Sequence, residues 1–184
     1  MASAWSSVRL DIVKHLREEA GGIATSMVDY YALPREGDRT WPGRDQAAQL
    51  AFPDKAAVVE RGLQADLAGS MGAGFDPRRF IPFVIMHEFE GLLFSDCGAF
   101  SRGIHRPDLQ PDFQAIRDEF HTPEEINDSP VTAPSNRVLD LIPNYEKPLL
   151  GTLAVLEIGL GTIRAECPHF NDWLTRLERA GGTR

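Results

Sequence analysis

Three carboxylates in two short stretches carry the chemistry read most directly from this sequence. Asp29 closes the run Thr25-Ser26-Met27-Val28-Asp29, and Glu88 and Glu90 follow the apolar run Arg79 to Met86 within a few positions. Carboxylates are hard oxygen donors, the ligands that Mg²⁺ or Mn²⁺ takes, and three of them can hold one or two divalent ions for phosphodiester cleavage. Each also has a plainer reading. Asp29 suits the capping of the turn that follows it. Glu88 and Glu90 suit a solvated first helical turn, where acids complement the helix dipole. If the backbone stays extended through Glu90, the two glutamates share a face; if a helix has begun, they diverge by roughly 200° and one alone faces a site. His87, a lone histidine beside an apolar run, fits a hydrogen-bonded core residue better than a ligand.

The elements that must position these residues follow from periodicity. Ser7 to Ala20 carries Val8, Ile12 and Leu16 at helical spacing, with Gly21-Gly22 as a stop. Ile23 to Val28 reads as a strand ending at Asp29, so Asp29 falls at the carboxyl end where open α/β sheets gather ligands. Arg35 to Arg44, rich in Gly, Pro and charge, suits an exposed loop that Trp41 anchors. Asp45 to Ser70 is helical with a break at Pro53, and Arg79 to Met86 suits a buried strand despite Pro82. A helix is expected from Glu88 onward, short helices at Asp112 to Phe120 and Ser135 to Ile142, and a helical tail from Lys147 interrupted by Gly151, Gly159 and Gly161, with Pro168 opening the last helix. Two strands make a marginal sheet, so Ala99 to Ile104 and Ser129 to Ala133 are the places to look for missed edge strands.

Two further clusters draw attention. Ser135, Arg137 and Lys147 could grip phosphate, although Ser135 is better explained as a helix cap. Cys167-Pro168-His169 puts a thiol near an imidazole, yet nothing in the sequence orients them as nucleophile and base. No phosphate-binding glycine loop, dinucleotide fingerprint, nucleophile elbow or zinc-protease helix is present.

Composition bounds these readings. At 184 residues, with 42% hydrophobic and 25% charged residues, the chain fits one α/β domain over 1–184, a partial α/β core at 1–96 and a mainly helical extension at 97–184. Two cysteines, Cys97 and Cys167, in no metal-ligand spacing point to a reducing cytoplasm, and no apolar stretch approaches membrane-span length. The net charge of -8 argues against a broad basic face, but carboxylates awaiting divalent ions make a phosphate-handling site look acidic.

The strings Ser26-Met27-Val28-Asp29-Tyr30-Tyr31-Ala32-Leu33-Pro34, Trp41-Pro42-Gly43, Arg79-Phe80-Ile81-Pro82-Phe83, His87 to Asp96, Pro123-Glu124-Glu125-Ile126-Asn127-Asp128, Pro134-Ser135-Asn136-Arg137 and Cys167-Pro168-His169-Phe170 together resemble an uncharacterised bacterial family, domain of unknown function 4276 (DUF4276), grouped with Toprim-like proteins. The resemblance implies a Toprim-like small sheet flanked by helices, and a Mg²⁺-dependent nuclease component of a phage-defence system that works with a separately encoded ATPase on nucleic acid. It places Asp29 as the acidic residue of the central strand and Glu90, with Glu88, as the glutamate segment downstream. Tyr31 stands where Toprim enzymes usually carry the second aspartate of Asp-x-Asp. Such families typically open with a strand and a Val-Glu-Gly-x-Thr-Glu-like turn that supplies the first catalytic glutamate, whereas a helix opens this sequence. The resemblance therefore implies a chain lacking that strand, either through a displaced start or as a diverged member that cannot cut; the alternative role is a non-catalytic adaptor that binds the ATPase.

Overall fold

A computed structural model describes residues 3–34, 37–126 and 133–182. The chain divides into two compact units, residues 1–85 with 172–184, and residues 86–171. The architecture is mixed α/β, a two-strand parallel sheet flanked by helices followed by a mainly helical C-terminal half.

In the first unit, α1 (Trp5–Glu18) buries Trp5, Val13 and Leu16. Trp5 and Arg9 both donate to Asp66 Oδ2, at 2.6 and 2.9 Å, tying α1 to α2 (Asp54–Met71). The C-terminal end of α1 gains a cation, as Arg79 donates to Leu16 O in its last turn at 2.8 Å and to Gly22 O beyond it at 2.9 Å. Strands β1 (Ala24–Asp29) and β2 (Phe80–Ile85) pair in parallel, in register from Ala24 opposite Phe80 to Asp29 opposite Ile85. A parallel pair needs a long crossover, and α2 lies within it. Every residue of β2 is buried, so it reads as an unbroken apolar run, while β1 alternates and turns Thr25, Met27 and Asp29 outward.

Side chains of α2 protect β2. Val84 N donates to Glu60 Oε1 at 2.9 Å, Gln64 Nε2 donates to Phe80 O at 3.0 Å, and Pro82 between them has no N–H to offer. That accounts for the proline that counted against a strand, since it occupies a position where no ladder bond is lost. Trp173 stacks on Phe83 at 4.8 Å and donates to Thr25 Oγ1 at 2.9 Å, and Thr25 donates on to Ile81 O.

The segment before α2 corrects one expectation. Trp41 does anchor it, with its indole donating to Ser3 O at 3.0 Å and tilted 5.1 Å from Trp5. Arg44, however, is 1% exposed and belongs to the core. The reason is a backbone-to-backbone approach: a Cβ on Gly43, whose φ is +79°, would lie 2.6 Å from Val58 O, and one on Gly62 would lie 2.9 Å from Gly43 N. Gly62→Ala is therefore expected to destabilise the chain by about 1–3 kcal/mol through overpacking, read as a lowered urea midpoint at unchanged slope.

The second unit is built from helices: a 3-10 helix (Phe89–Ser95), α3 (Cys97–Gly103), α4 (Gln110–Arg117), α5 (Pro134–Leu141), α6 (Lys147–Ile158), α7 (Leu160–Glu166) and the start of α8 (Pro168–Gly181). Phe100 and Phe113 stack at 4.3 Å, with Phe94 edge-on to both, and a Cβ on Gly103 would sit 2.8 Å from Ala154 Cα, so α3 and α6 meet backbone to backbone. Ala99 to Ile104, considered as an edge strand, is instead helical through Gly103, because Asp96 Oδ1 accepts from Ala99 N at 2.8 Å and caps α3. The other candidate strand, Ser129 to Ala133, lies outside the described residues apart from Ala133, which caps α5. Among the described residues no single helix is long and apolar enough to cross a membrane; α6 and α7 reach that length together but bend by 85° between them.

Candidate functional site

Asp29 ends β1 with an exposed side chain in extended backbone, and the 3-10 turn that follows (Tyr30–Ala32) takes no side-chain capping bond from it. Its neighbour Tyr30 is 1% exposed and has two cations near its ring: Arg44 Nη1 donates to the phenol at 2.6 Å with the guanidinium 3.7 Å over the ring, and Lys55 Nζ lies 5.4 Å from the same ring. Burying Arg44 and Lys55 is costly and places positive charge beside the residue after Asp29. Both escaped the sequence reading. Arg44 closes a segment whose composition looked solvent-exposed, whereas Lys55 left a usable trace, since Lys55, Val59, Leu63 and Leu67 form one four-residue series on the buried face of α2.

Glu88 and Glu90 lie in the second unit. Helix does begin after Glu88, but as the 3-10 turn from Phe89 rather than an α-helix; Glu88 stays extended at φ -144°, ψ 158°. The two side chains consequently reach different partners. Glu88 Oε2 accepts from Ser135 N at 3.1 Å, satisfying an orphan donor in the first turn of α5. This revises the role of Ser135: the N-cap position is Ala133, and Ser135 is a buried residue whose amide is itself capped by Glu88. Glu90 is 4% exposed, and its Oε1 lies 3.3 Å from Nζ of Lys147, the first residue of α6.

Tyr145 joins this group, a residue that sequence reasoning missed. It is buried, its Oη has no hydrogen-bond partner among the described residues, and a Cβ on Gly151 would approach that oxygen to 3.2 Å. Burial, and then the negative charge of Glu90, push its phenol well above the ordinary value of 10.0, so it stays protonated as a donor. Arg137 donates to Glu119 Oε2 at 3.0 Å and lies 5.5 Å over the Phe120 ring. His87 is 1% exposed with Nδ1 3.4 Å from Ile126 O, the core placement expected of it. The structure thus brings Glu88 to Ser135 and Glu90 to Lys147, while Arg137 pairs elsewhere. Among the described residues no group of three or more His, Cys, Asp or Glu side chains is arranged to hold a metal ion. Glu88 and Glu90 each keep one carboxylate oxygen without a hydrogen bond or ion pair among the described residues.

A family model described as domain of unknown function (DUF4276) matches residues 2–178. The chain belongs to this family. No curated protein and no solved structure matches it. The DUF4276 match spans both units and therefore includes Asp29, Glu88 and Glu90 alike.

The thiol beside the imidazole in this DUF4276 chain is structural. Cys167 is buried with Sγ 3.4 Å from Ser95 Oγ, and desolvation pushes it up to about 12; Cys97, buried near Phe94 O, rises to about 12 for the same reason. His169 meets a carboxylate instead: Glu124, 2% exposed, lies 3.8 Å from His169 Nδ1 and accepts from the His169 and Phe170 amides at 3.0 and 2.9 Å, anchoring the start of α8. Because thiols raised above their ordinary 9.0 ionise first in the unfolded chain, their contribution to stability is full below about pH 9 and lost as pH rises toward about 12. Native protein at neutral pH is accordingly expected to resist a thiol-specific disulfide reagent that labels both cysteines once urea is added, and rapid native labelling would contradict the burial.

Proposed function

We propose that this chain is a Toprim-like, Mg²⁺-dependent nuclease component of a bacterial anti-phage defence system, acting in the cytoplasm with a partner ATPase. The observation that carries the reading is Asp29, an exposed aspartate at the carboxyl end of a parallel strand. The donor chemistry fits a hard cation: Asp29, Glu88 and Glu90 are all carboxylates, and the two glutamates retain oxygens for a ligand. Bound there, Mg²⁺ or Mn²⁺ would polarise the scissile phosphate and lower the pKa of a water. Glu88 serves as ligand or base. Lys147 and Arg137 meet phosphate by exchanging Glu90 and Glu119 for it, and Ser135 holds Glu88 in place through its amide. Incubation of supercoiled DNA and of RNA with the protein and Mg²⁺ or Mn²⁺ tests this, with nicking expected in the presence of the cation and abolished by Asp29→Ala or Glu90→Ala.

The protein ties of the two glutamates favour a second reading, a non-catalytic Toprim-derived adaptor that binds the ATPase. Glu88 capping α5 and Glu90 paired with Lys147 are structural roles sufficient in themselves. Co-purification of an ATPase, with no divalent binding by calorimetry, supports the adaptor; saturable Mg²⁺ binding contradicts it.

A further inference from the structure

The C-terminal part of α8 holds charge that neither reading uses. Within the first unit a cleft of about 650 Å³ is lined by four arginines, Arg78, Arg79, Arg176 and Arg179, against a single carboxylate, Asp76, with Ile81 contributing apolar wall. In a chain of net charge -8 this local excess of cations is out of keeping with the whole. Arg79 and Arg78 are held by groups at the rim of the cleft. Arg79 is spent on the carbonyls at the end of α1, and Arg78 makes a bidentate pair with Asp76 through Nε and Nη2 at 3.0 and 2.8 Å. Arg176 and Arg179 stand three residues apart on one face of α8, and Arg176 has neither a hydrogen bond nor an ion pair among the described residues. Guanidinium groups gathered at one cleft repel each other unless an anion is shared, and their planar donor forks match phosphate oxygens.

We propose that this cleft binds the phosphate groups of a single-stranded nucleic acid, with Arg176 and Arg179 as the principal contacts and Arg78 at the exposed lip. The assignment does not rest on a metal at Asp29, Glu88 and Glu90, because the arginines hold phosphate without one. A strand is favoured over a free nucleotide because the arginines come from two separate segments, at the start of β2 and along α8, so that successive phosphates can each find one.

The test is fluorescence anisotropy of a labelled oligothymidylate with the full chain in EDTA, which removes the divalent-ion site from the measurement. Native protein is expected to bind at low salt. Arg176→Gln with Arg179→Gln should weaken binding at least about tenfold and flatten the salt dependence by about one unit of slope per arginine. Arg106→Gln, which removes an exposed arginine paired with Asp108 in the other unit, should stay within about twofold of native. The double lysine variant, which keeps charge and helix but loses the planar fork, should bind more tightly than the double glutamine variant and less tightly than native, and that partial recovery separates phosphate contact from loss of fold. Equal binding by the double glutamine variant, or no binding by native protein, overturns the site. Arginine-dependent binding of ADP without binding of the oligonucleotide overturns the strand assignment.

Discussion

Asp29→Ala is expected to lower metal-dependent nicking about 100- to 1000-fold, because a cation in such a site supplies several kcal/mol and each 1.4 kcal/mol is tenfold in rate. The substitution should leave the fold intact, since the side chain is exposed. Glu90→Gln should lose activity to a similar extent by a different route. The amide keeps the shape of a buried side chain but gives up the charge opposite Lys147, which is 46% exposed and can turn to water. Circular dichroism and urea midpoints close to native, combined with lost nicking, separate the chemical role from a structural one. Activity that survives both substitutions removes the proposed centre, and activity that is absent in native protein leaves the adaptor.

The largest effect on stability is expected at a residue outside the proposed centre. Glu124→Ala removes the acceptor of two amides at the start of α8, and a buried donor left without a partner costs about 1–3 kcal/mol, so a loss of about 2–6 kcal/mol is expected. Against the roughly 5–15 kcal/mol that holds a typical domain folded, that is a large fraction. Glu124→Gln retains a carbonyl oxygen and should recover part of the loss. Urea denaturation of the three proteins at one pH decides it: an alanine variant within about 0.5 kcal/mol of native, the range of a neutral surface change, would mean that water replaces the carboxylate.

Much of the fold was legible in the sequence because the signals were local. Val8 to Leu16 announced α1, Pro168 opened α8, and the apolar run from Phe80 to Ile85 was long and uniform enough to be a buried strand. Pro82 counted against that strand until the third dimension supplied its context, the edge that Glu60 and Gln64 cover. The burial of Arg44 was invisible for a similar reason: the approach of Gly43 to Val58 is a long-range backbone contact with no local pattern. Ala99 to Ile104 misled because so short a stretch fits strand and helix alike, and the deciding residue, Asp96, lies outside it.

Of the candidate site, residue types were legible and partners were not. Glu88 and Glu90 stood out by charge beside an apolar segment, but their engagement by Ser135 and Lys147 depends on helices that arrive about fifty residues later. Tyr145 gave no signal, since a tyrosine at a helix start is unremarkable until Glu90 and Gly151 are placed around its hydroxyl. The arginine cleft was hidden by the net charge, which averages over the chain what α8 and the start of β2 concentrate.

Electron paramagnetic resonance of free Mn²⁺ during titration into the native chain, Asp29→Ala and Glu90→Ala addresses the nuclease proposal most directly. Shared coordination predicts saturable uptake of about one or two ions by the native chain, with the tight site lost in either variant. Uptake that is absent in the native chain, or identical in all three proteins, would contradict a cation held jointly by these carboxylates.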